Sequence, residues 1–361
     1  MNPRWLAVVA GTRPEIIKLG HVARALGPVG RVVHTGQHES PELATDVLAS
    51  MGITSARTLT GIVGRSRHTQ IGRMVEQLGD LFTSDEPAAV IVQGDTNSAV
   101  SAAQAANTAG VPVLHVEAGL RSFDRAMPEE INRCVISVLT DVHCAPTTTA
   151  VRHLLNEGVS AAKIELTGNT IVETTLAMVP AAAEAAEIAA QAGAEPHRYV
   201  LATIHRTENA DHPARLEAIL DQLTKLGLPV LLPLHPRTRQ SIIRFGLTPA
   251  LDRLRAMPPV GYRTFLGLAS LAGLIVSDSG GLQEECTVLK RPLIVVRNST
   301  ERPESIAAGF AWLVQPGEAI SELGRQLLAD SALRPRLSAI PCPFGDGTAS
   351  DRIAAIARGF L

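Results

Sequence analysis

Carboxylates stand where two apolar runs of the chain end. Asp95 follows the run Ala89–Gln93 after a single glycine, and Glu117 follows the run Val111–Val116. If both runs are parallel strands, the two acids face one crevice at the sheet edge, where carboxylates can act as general acids and bases. Either acid alone is more often a helix N-cap or a loop residue. The acid/base interpretation therefore depends on the pair.

A third acid, Glu129, follows Pro128 at the predicted start of a helix. Proline is favoured in the first turn of a helix, and an acidic residue there interacts favourably with the helix dipole. That placement alone would explain Glu129, so a catalytic role and a helix-stabilising role both stay open.

Cationic residues also follow apolar runs. A Gly-Thr-Arg-Pro turn places Arg13 and Lys18 about one helical turn apart, with Pro14 expected at the first helical position. A helix N-terminus with nearby cations binds anions. A plain turn before a solvated helical turn is the alternative. In the second half of the chain, His205 and His235 each precede an arginine closely and are candidates for phosphate binding.

The clearest anion-binding pattern is Ser277–Glu285, which follows another apolar run. Ser279, Gly280 and Gly281 can offer hydroxyl and backbone N–H donors to a pyrophosphate. Glu285, one turn into the next helix, is placed to reach the hydroxyls of a ribose. A generic glycine-rich turn is the alternative.

Short apolar strands alternate with Ala- and Leu-rich helical segments, the pattern of a parallel sheet covered on both faces. The strand-like runs of the first half are Leu6–Ala10, Val32–His34, Ala89–Gln93, Val111–Val116 and Lys163–Leu166. The second series is Tyr199–Ile204, Pro229–Leu234, Gly273–Ser277 and Pro292–Val296. The predicted fold class is α/β, with two Rossmann-like doubly wound domains.

We predict that the first domain comprises residues 1–170 together with a C-terminal helix over 348–361, and the second comprises 171–347. The helix is indicated by Ile353, Ile356 and Phe360 at helical spacing. The Ala-rich stretch Thr170–Pro196 is predicted to form a helix near the domain junction.

Composition excludes several classes of function. The 361 residues include 33 basic and 35 acidic ones, a formal net charge of -2 that offers no broad positive field to nucleic acid. No apolar run approaches the roughly 20 residues that span a bilayer. The first residues indicate a strand, not a signal peptide, so we expect a cytoplasmic protein without membrane insertion. The four cysteines are expected as buried free thiols, and no metal site is predicted.

Several motifs together resemble the non-hydrolysing UDP-N-acetylglucosamine 2-epimerase family. The matching stretches from Ala10 to Glu304 are GTRPEIIK, QGDTNS, HVEAGLRSFDRAMPEEINR, TGNT, HRTEN, SDSGGLQEE and TERPE, and Phe344–Gly347 also matches. The resemblance implies a GT-B fold, in which two Rossmann-like domains face a central cleft, the second domain binds UDP, and the last helix crosses back to the first domain. It also implies a homodimer that needs neither a metal nor a nicotinamide or other cofactor.

The reaction implied by the resemblance interconverts UDP-N-acetylglucosamine and UDP-N-acetylmannosamine. The C2 proton is removed while UDP leaves C1, which gives a 2-acetamidoglucal, and UDP re-adds after reprotonation on the opposite face of C2. The implied catalytic residues are Asp95, Glu117 and Glu129. The implied substrate-binding residues are Arg13, Lys18, Arg133, His205, Phe265, Ser279, Gly280, Gly281 and Glu285. Among these, Phe265 matches the position that lines the uracil pocket, and Glu285 the position that binds the ribose.

Two departures from the family pattern concern the substrate. The loop from Arg121 to Pro128 is two residues shorter than in the commonest bacterial members, and Leu234–Thr238 reads Leu-His-Pro-Arg-Thr. Both features resemble branches that act on modified sugars such as 2,3-diacetamido uronates. The Thr300–Glu304 and Gln283–Glu285 segments keep the pattern of the UDP-N-acetylglucosamine branch, which we favour.

Other functions stay open at this point. A hydrolysing epimerase and a GT-B glycosyltransferase would use the same UDP site, and an inactive epimerase scaffold could serve as a sensor, although all three acids are present. No Gly-x-Gly-x-x-Gly follows the first strand to hold a nicotinamide. Some family members are activated by UDP-N-acetylglucosamine through a Gln-His-Arg-Glu/Gln-Met segment. The matching stretch here, Gln37-His38-Glu39-Ser40, lacks its basic group and weakens that expectation.

Overall fold

A computed structural model describes residues 4–37 and 56–361. The first of its two sheets consists of parallel strands. Seven strands form this sheet among those residues: β1 (Leu6–Ala10), β2 (Gly30–His34), β3 (Ala56–Thr58), β4 (Ala89–Gln93), β5 (Val113–Val116), β6 (Val142–Ala145) and β7 (Ile164–Leu166). Their spatial order is β3-β2-β1-β4-β5-β6-β7. Every residue of β1 and β4 is buried, as expected for apolar strands covered on both faces.

The strand order reverses at β1, which pairs with β2 on one side and with β4 on the other. Open α/β sheets bind their ligands outside the carboxyl ends of the strands at such a point. The carboxyl ends of β1 and β4 lead directly into the segments that carry Arg13 and Asp95. The topology therefore supports a site at this edge of the sheet.

Helices flank the first sheet and bury its side chains in separate clusters. They are α1 (Arg13–Leu26), α2 (Arg67–Asp85), α3 (Asn97–Thr108), α4 (Pro128–Leu139), α5 (Thr148–Asn156) and α6 (Ile171–Met178), with short 3-10 helices at Gly27–Val29 and Ala161–Lys163. Val8 of β1 packs in the cluster that contains Ile16 of α1. The next residue, Val9, packs in the cluster that contains Leu78 of α2. This alternation is the two-residue period of a strand.

The second sheet repeats the pattern with six parallel strands. These are β8 (Val200–Thr203), β9 (Val230–Pro233), β10 (Arg255–Met257), β11 (Leu274–Ser277), β12 (Leu293–Val296) and β13 (Ala311–Val314), in the order β10-β9-β8-β11-β12-β13. Its helices are α7 (Ala182–Gln191), α8 (Thr207–Ala210), α9 (Pro213–Thr224), α10 (Pro236–Arg244), α11 (Thr248–Leu251), α12 (Tyr262–Leu271), α13 (Leu282–Leu289), α14 (Pro303–Ala307), α15 (Ala319–Ala329) and α16 (Leu333–Ala339). The order reverses at β8, which places the β8–α8 and β11–α13 segments at neighbouring strand ends.

The chain divides into two compact units, one made of Met1–Thr174 with Phe344–Leu361 and the other of Thr175–Pro343. The last helix, α17 (Ala349–Arg358), buries Ile353 and Ala357 in the cluster that contains α1. The predicted C-terminal helix and its return to the first unit are thus confirmed. The predicted domain limit after residue 170 stays a prediction.

Some details of the sequence-based prediction were wrong. Strands β3, β6, β10 and β13 were not predicted. The Ala-rich stretch Thr170–Pro196 holds two helices, α6 and α7, because Pro180 lies between them and cannot continue a helix. The cysteines are free thiols, but Cys134 and Cys342 are only half-buried. Burial is confirmed for Cys144 and Cys286.

Candidate active site

Glu117 is held in a buried polar cluster at the carboxyl end of β5. Lys18 of α1 approaches both carboxylate oxygens, with Nζ 3.0 Å from Oε1 and 3.1 Å from Oε2. Gln93 Nε2 donates to Oε2, and Asn169 Nδ2 donates to Oε1 at 3.3 Å. Lys18 and Glu117 are 6% and 7% exposed, respectively. The structure therefore places a residue predicted to bind diphosphate directly beside a residue predicted to be catalytic.

The backbone at this strand end is unusual. Glu117 has φ 67°, in the left-handed region that non-glycine residues seldom occupy. Such conformations cost on the order of 1–3 kcal/mol and concentrate at functional sites. Gly94, at the end of β4, has φ 68°, and a Cβ there would lie 3.6 Å from Glu117 Oε2. The His115 Nε2–H donates to the Gly94 carbonyl at 2.8 Å, and burial lowers the pKa of His115 to about 3, so it stays neutral.

Asp95 is tied to the loop after β5 through two buried charges. Arg133 of α4 lies with Nη2 2.5 Å from Asp95 Oδ2 and Nη1 2.6 Å from Glu130 Oε2. Glu130 in turn accepts hydrogen bonds from the backbone N–H groups of Ser122 and Phe123, both at 3.0 Å. Burial raises the pKa of Glu130, but the hydrogen bonds from Ser122 and Arg133 outweigh it, and the pKa is lowered overall. Arg133, predicted to bind substrate, is thus engaged by two carboxylates.

Two predicted site residues are exposed at helix N-termini. Glu129 lies in the first turn of α4, and its carboxylate makes no hydrogen bond or ion pair with any residue of the described ranges. Arg13 is the first residue of α1. Pro14 is therefore the second helical residue and not the first as predicted, because Thr12 already serves as the N-cap. Both side chains are accessible to a ligand.

Sequence reasoning missed the buried carboxylate of Glu15. It accepts hydrogen bonds from the N–H groups of Gly11 (3.0 Å) and Thr12 (2.8 Å) and from the Thr96 hydroxyl (2.6 Å). Burial raises the pKa of Glu15 to about 7, although these hydrogen bonds oppose the shift. The Thr-x-x-Glu spacing from Thr12 to Glu15 is a capping-box pattern and was the available signal.

In the second unit, Asp278 organises the turn after β8. This fully buried carboxylate accepts from the N–H groups of His205 (3.0 Å) and Arg206 (2.9 Å) and from Asn209 Nδ2 (3.1 Å). Its Oδ1 lies 3.4 Å from His205 Nδ1. Burial lowers the pKa of His205, with Asp278 opposing the shift. The His235 ring lies 5.6 Å from that of His205, so these two phosphate-binding candidates are brought together.

The Ser279-Gly280-Gly281 turn joins β11 to the N-terminus of α13 beside several charges. A Cβ on Gly280 would lie 3.0 Å from Arg302 Nη1 and from Glu301 Oε1, and 3.3 Å from Arg206 Nη2. A Cβ at this position would therefore have to displace these charged side chains by a few tenths of an ångström. Two guanidinium groups next to a helix N-terminus suit a diphosphate. Sequence reasoning did not single out Arg302, which lies beside Gly280 only in the folded chain.

Glu285 and the N-terminal turn of α12 also come together. The Tyr262 hydroxyl donates to Glu285 Oε1 at 2.7 Å. Phe265, one turn further along α12, is half-buried against the core cluster that contains Tyr199 and Leu268. The residues predicted at the ribose and at the uracil are thus linked through one helix.

A family model described as UDP-N-acetylglucosamine 2-epimerase matches residues 29–358. The chain belongs to this family. The UDP-N-acetylglucosamine 2-epimerase of Methanocaldococcus jannaschii is 35% identical over 363 residues, covering 97% of this chain and 98% of that protein. The UDP-2,3-diacetamido-2,3-dideoxy-D-glucuronate 2-epimerase of Pseudomonas aeruginosa is also 35% identical, over 97% of this chain and 98% of that protein.

Solved structures of the epimerase family have the same fold. The M. jannaschii UDP-GlcNAc 2-epimerase, crystallised with UDP-GlcNAc and UDP, matches with a TM-score of 0.87 at 34% identity, covering 98% of this chain and 99% of that chain. The predicted α/β fold class and the family resemblance are therefore confirmed. The family is one of isomerases, so the chain is an epimerase-family enzyme.

Within this epimerase fold, the first unit brings together Asp95, Glu117, Lys18 and Arg133 through the contacts above. In the second unit, His205 lies beside Asp278, Gly280 lies beside Arg206 and Arg302, and Glu285 lies beside Tyr262. The functional role of each residue stays a prediction. Of the Gln37-His38-Glu39-Ser40 segment, only Gln37 belongs to the described residues. Among the described residues, no helix is long and apolar enough to cross a membrane, and no group of three or more metal-ligating side chains occurs.

Proposed function

We propose that this protein is a UDP-N-acetylglucosamine 2-epimerase that interconverts UDP-N-acetylglucosamine and UDP-N-acetylmannosamine. The observation that carries the proposal is the placement of Asp95 and Glu117 at adjacent strand ends, each beside a buried cation, in a chain of this family. Proton transfer at carbon needs such positioned carboxylates.

The proposed reaction is an elimination followed by an addition. A carboxylate takes the C2 proton, the C2–H electron pair forms the C1=C2 bond, and the C1–O bond breaks to release UDP. A proton is then returned to the opposite face of C2, and UDP re-adds at C1. Two faces require two proton-transfer positions, and Asp95, Glu117 and the exposed Glu129 offer three carboxylates for them.

The second unit is proposed to hold the departing UDP. Arg206, Arg302 and the backbone of Gly280 would stabilise the charge that builds on the β-phosphate, an electrostatic effect of the oxyanion-hole type. From the family resemblance, Arg13 and Lys18 are also expected among the residues that bind the diphosphate. Glu285 would accept from the ribose hydroxyls, and Phe265 would contact the uracil. A homodimer remains the expectation from the family resemblance, and a cytoplasmic location remains the expectation from the sequence.

A second substrate is favoured by a specific observation. The relative that acts on a 2,3-diacetamido uronate is as similar in sequence, at 35% identity, as the M. jannaschii UDP-N-acetylglucosamine 2-epimerase. The short loop between Arg121 and Pro128 resembles the branches that use modified sugars. Epimerisation of a UDP-linked 2,3-diacetamido uronate is therefore the alternative.

Proton NMR of the protein with UDP-N-acetylglucosamine in deuterated water tests the proposal. We expect the C2 epimer with solvent deuterium at C2, because the acid that protonates the opposite face of C2 carries a deuteron taken from the solvent. Full retention of the C2 proton would contradict the elimination. Free N-acetylmannosamine would indicate a hydrolysing enzyme, and UDP release only with an added acceptor would indicate a glycosyltransferase. Reaction confined to the diacetamido uronate would establish the alternative substrate.

A further inference from the structure

The Glu15 carboxylate joins two turns that come from different strands. Oε2 accepts from Gly11 N, Thr12 N and the Thr12 hydroxyl, all in the turn between β1 and α1, at 3.0, 2.8 and 2.9 Å. Oε1 accepts from the Thr96 hydroxyl, in the turn between β4 and α3, at 2.6 Å. A capping box satisfies donors of a single helix. The bond to Thr96 is additional and links the two turns.

Thr96 has a fixed orientation because it is the N-cap of α3. Its Oγ1 accepts from the Ala99 N–H at 3.0 Å, so its own proton is directed to Glu15. Thr96 directly follows Asp95, whose carbonyl accepts from Asn132 Nδ2 at 2.8 Å. The turn that Glu15 holds on the other side carries Arg13 and precedes Lys18. One buried carboxylate thus sets the spacing between the cationic turn and a candidate acid/base group.

The approach of the two turns is close enough to require glycine. A Cβ on Gly11 would lie 1.9 Å from Thr35 Oγ1 and 2.0 Å from Ser98 Oγ. Ser98 and Thr35 are themselves joined at 2.6 Å. Gly11 of the β1–α1 turn is therefore tightly packed against residues that follow β2 and begin α3, and the Glu15–Thr96 bond beside it is partly buried.

We propose that Glu15 is a positioning residue for the epimerase reaction. Its ionised carboxylate acts as a clamp that holds the β1–α1 turn against the β4–α3 turn. The expected effect on kcat rests on the proposed function. Glu15 does not contact substrate in this account. It acts through Thr96 on Asp95 and through Thr12 on the turn that carries Arg13.

The chemistry of the contacts explains why ionisation matters. Every contact to the carboxylate comes from a donor: Gly11, Thr12 and Thr96, none of which titrates. The charged neighbours on the same stretch of α1 are Arg13, which is exposed, and Lys18, which is paired with Glu117. A proton on Oε1 would reverse this bond, so that Thr96 Oγ1 accepts from both Ala99 and Glu15, and the Thr96 proton would lose Glu15 as its acceptor. Because burial raises the pKa of Glu15 to about 7, this change falls within the range of an enzyme assay.

Glu15→Gln tests the clamp because its oxygen can still accept from Gly11 and Thr12 while its amide faces Thr96 with a donor. We expect kcat to fall by about tenfold to a hundredfold with KM changed by less than about threefold, since small misplacements of a reacting group affect mainly the chemical step. The rise of kcat with pH around 7 should disappear. Thr96→Val should lower kcat by a similar factor, and Thr96→Ser should keep the wild-type kcat. The double variant of Glu15→Gln with Thr96→Val should have a kcat little lower than that of either single variant. Asp141→Asn is the control, because its carboxylate accepts from Val113 N at the opposite strand ends.

Unchanged kcat and pH profile in folded Glu15→Gln, with an active wild type, would overturn the inference and leave the proposed function intact. A readout independent of activity uses protein labelled with carbon-13 at threonine methyl groups. The Thr96 methyl resonance should titrate with a midpoint near pH 7 in the wild type and in Asp141→Asn, and not in Glu15→Gln. If the wild type has no activity, the proposed function fails. The clamp itself would be overturned if the Thr96 methyl resonance does not titrate in the wild type, or if it still titrates in Glu15→Gln. Should Glu15→Gln not fold, the comparison of Thr96→Val with Thr96→Ser decides the point.

Discussion

The three candidate carboxylates differ in how firmly the protein holds them, and this predicts different costs of mutation. We expect Asp95→Asn, Glu117→Gln and Glu129→Gln each to lower the epimerisation rate by at least about a hundredfold. Only Glu117→Gln should also reduce the free energy of unfolding markedly, on the order of 3 kcal/mol, because it replaces the buried carboxylate that pairs with the buried Lys18 by a neutral amide. Coupled assays and urea denaturation measure both effects.

Glu129→Gln is the comparison for stability within that series. Because Glu129 is exposed, this variant should keep the free energy of unfolding of the wild type while it loses activity. Wild-type rates in all three variants would remove the catalytic assignment. Release of glycal and UDP by the variants would instead assign the acids to the second half of the reaction.

Single side chains in the second unit should control the affinity for UDP. Glu285→Ala and Ser279→Ala are each expected to weaken UDP binding by about 1–3 kcal/mol, because each leaves a polar group of the ligand unpaired. Calorimetric titration with UDP measures this. Ser270→Ala is the matched control, because its hydroxyl donates to the Gly267 carbonyl within α12. Unchanged affinity in both test variants would show that the Gly280–Gly281 turn is structural only.

Residue types could be predicted from the sequence, but their partners could not. The positions of Asp95 and Glu117 after apolar runs were readable because strand ends are marked by a change from apolar to polar residues. The Lys18–Glu117 pair joins residues 99 positions apart. Likewise, Arg133 was predicted to bind substrate, whereas the structure pairs it with Asp95, which lies 38 positions away in the sequence. Such contacts depend on the tertiary arrangement and leave no local pattern.

At the scale of elements, most of the internal strands were readable from the sequence, and of the four edge strands among the described residues only β7 was predicted. The bounds predicted for β1 and β4 agree with the structure because these central strands are apolar except for Gln93 at the end of β4. The missed strands β3, β10 and β13 lie at sheet edges, where one side lacks a neighbour and polar residues are tolerated. Strand β6 is internal but only four residues long and includes His143, so its apolar signal is weak.

The loop from β5 to α4 lies in close contact with α5 at Gly119. This residue has φ 83°, and a Cβ there would lie 2.4 Å from the Ala150 carbonyl oxygen. We expect Gly119→Ala to reduce the free energy of unfolding by more than about 2 kcal/mol and to lower activity by displacing Glu117. Gly110→Ala is the control, since Gly110 also has a positive φ of 69° but nothing within 4 Å of its added Cβ.

Only backbone strain of about 1–2 kcal/mol is expected for the Gly110 variant. Urea denaturation of both variants measures the difference between them. Equal losses would mean that the contact with Ala150 relaxes freely and that backbone conformation alone requires glycine at residue 119.

At the scale of the whole molecule, each unit has its own hydrophobic core, and the chain enters the first unit twice. The C-terminal segment Phe344–Leu361 returns to the unit that contains Met1–Thr174. There, α17 places Ile353 in the same cluster as Val22 of α1. Residues of the second unit, such as Ile219 of α9, belong to separate clusters. A substitution that destabilises one core should therefore lower the stability of its own unit first.

The two tryptophans of the chain allow this to be measured, because Trp5 lies in the first unit and Trp312 in the second. Ile353→Ala removes a fully buried side chain and should cost about 2–5 kcal/mol. We expect it to lower the unfolding midpoint reported by Trp5 fluorescence, in a Trp312→Phe background, more than the midpoint reported by Trp312 in a Trp5→Phe background. Ile219→Ala, equally buried in the second unit, should have the opposite preference. Identical shifts of both reporters in both variants would mean that the two units unfold as one cooperative structure, and that the return of α17 stabilises the whole chain and not the first unit alone.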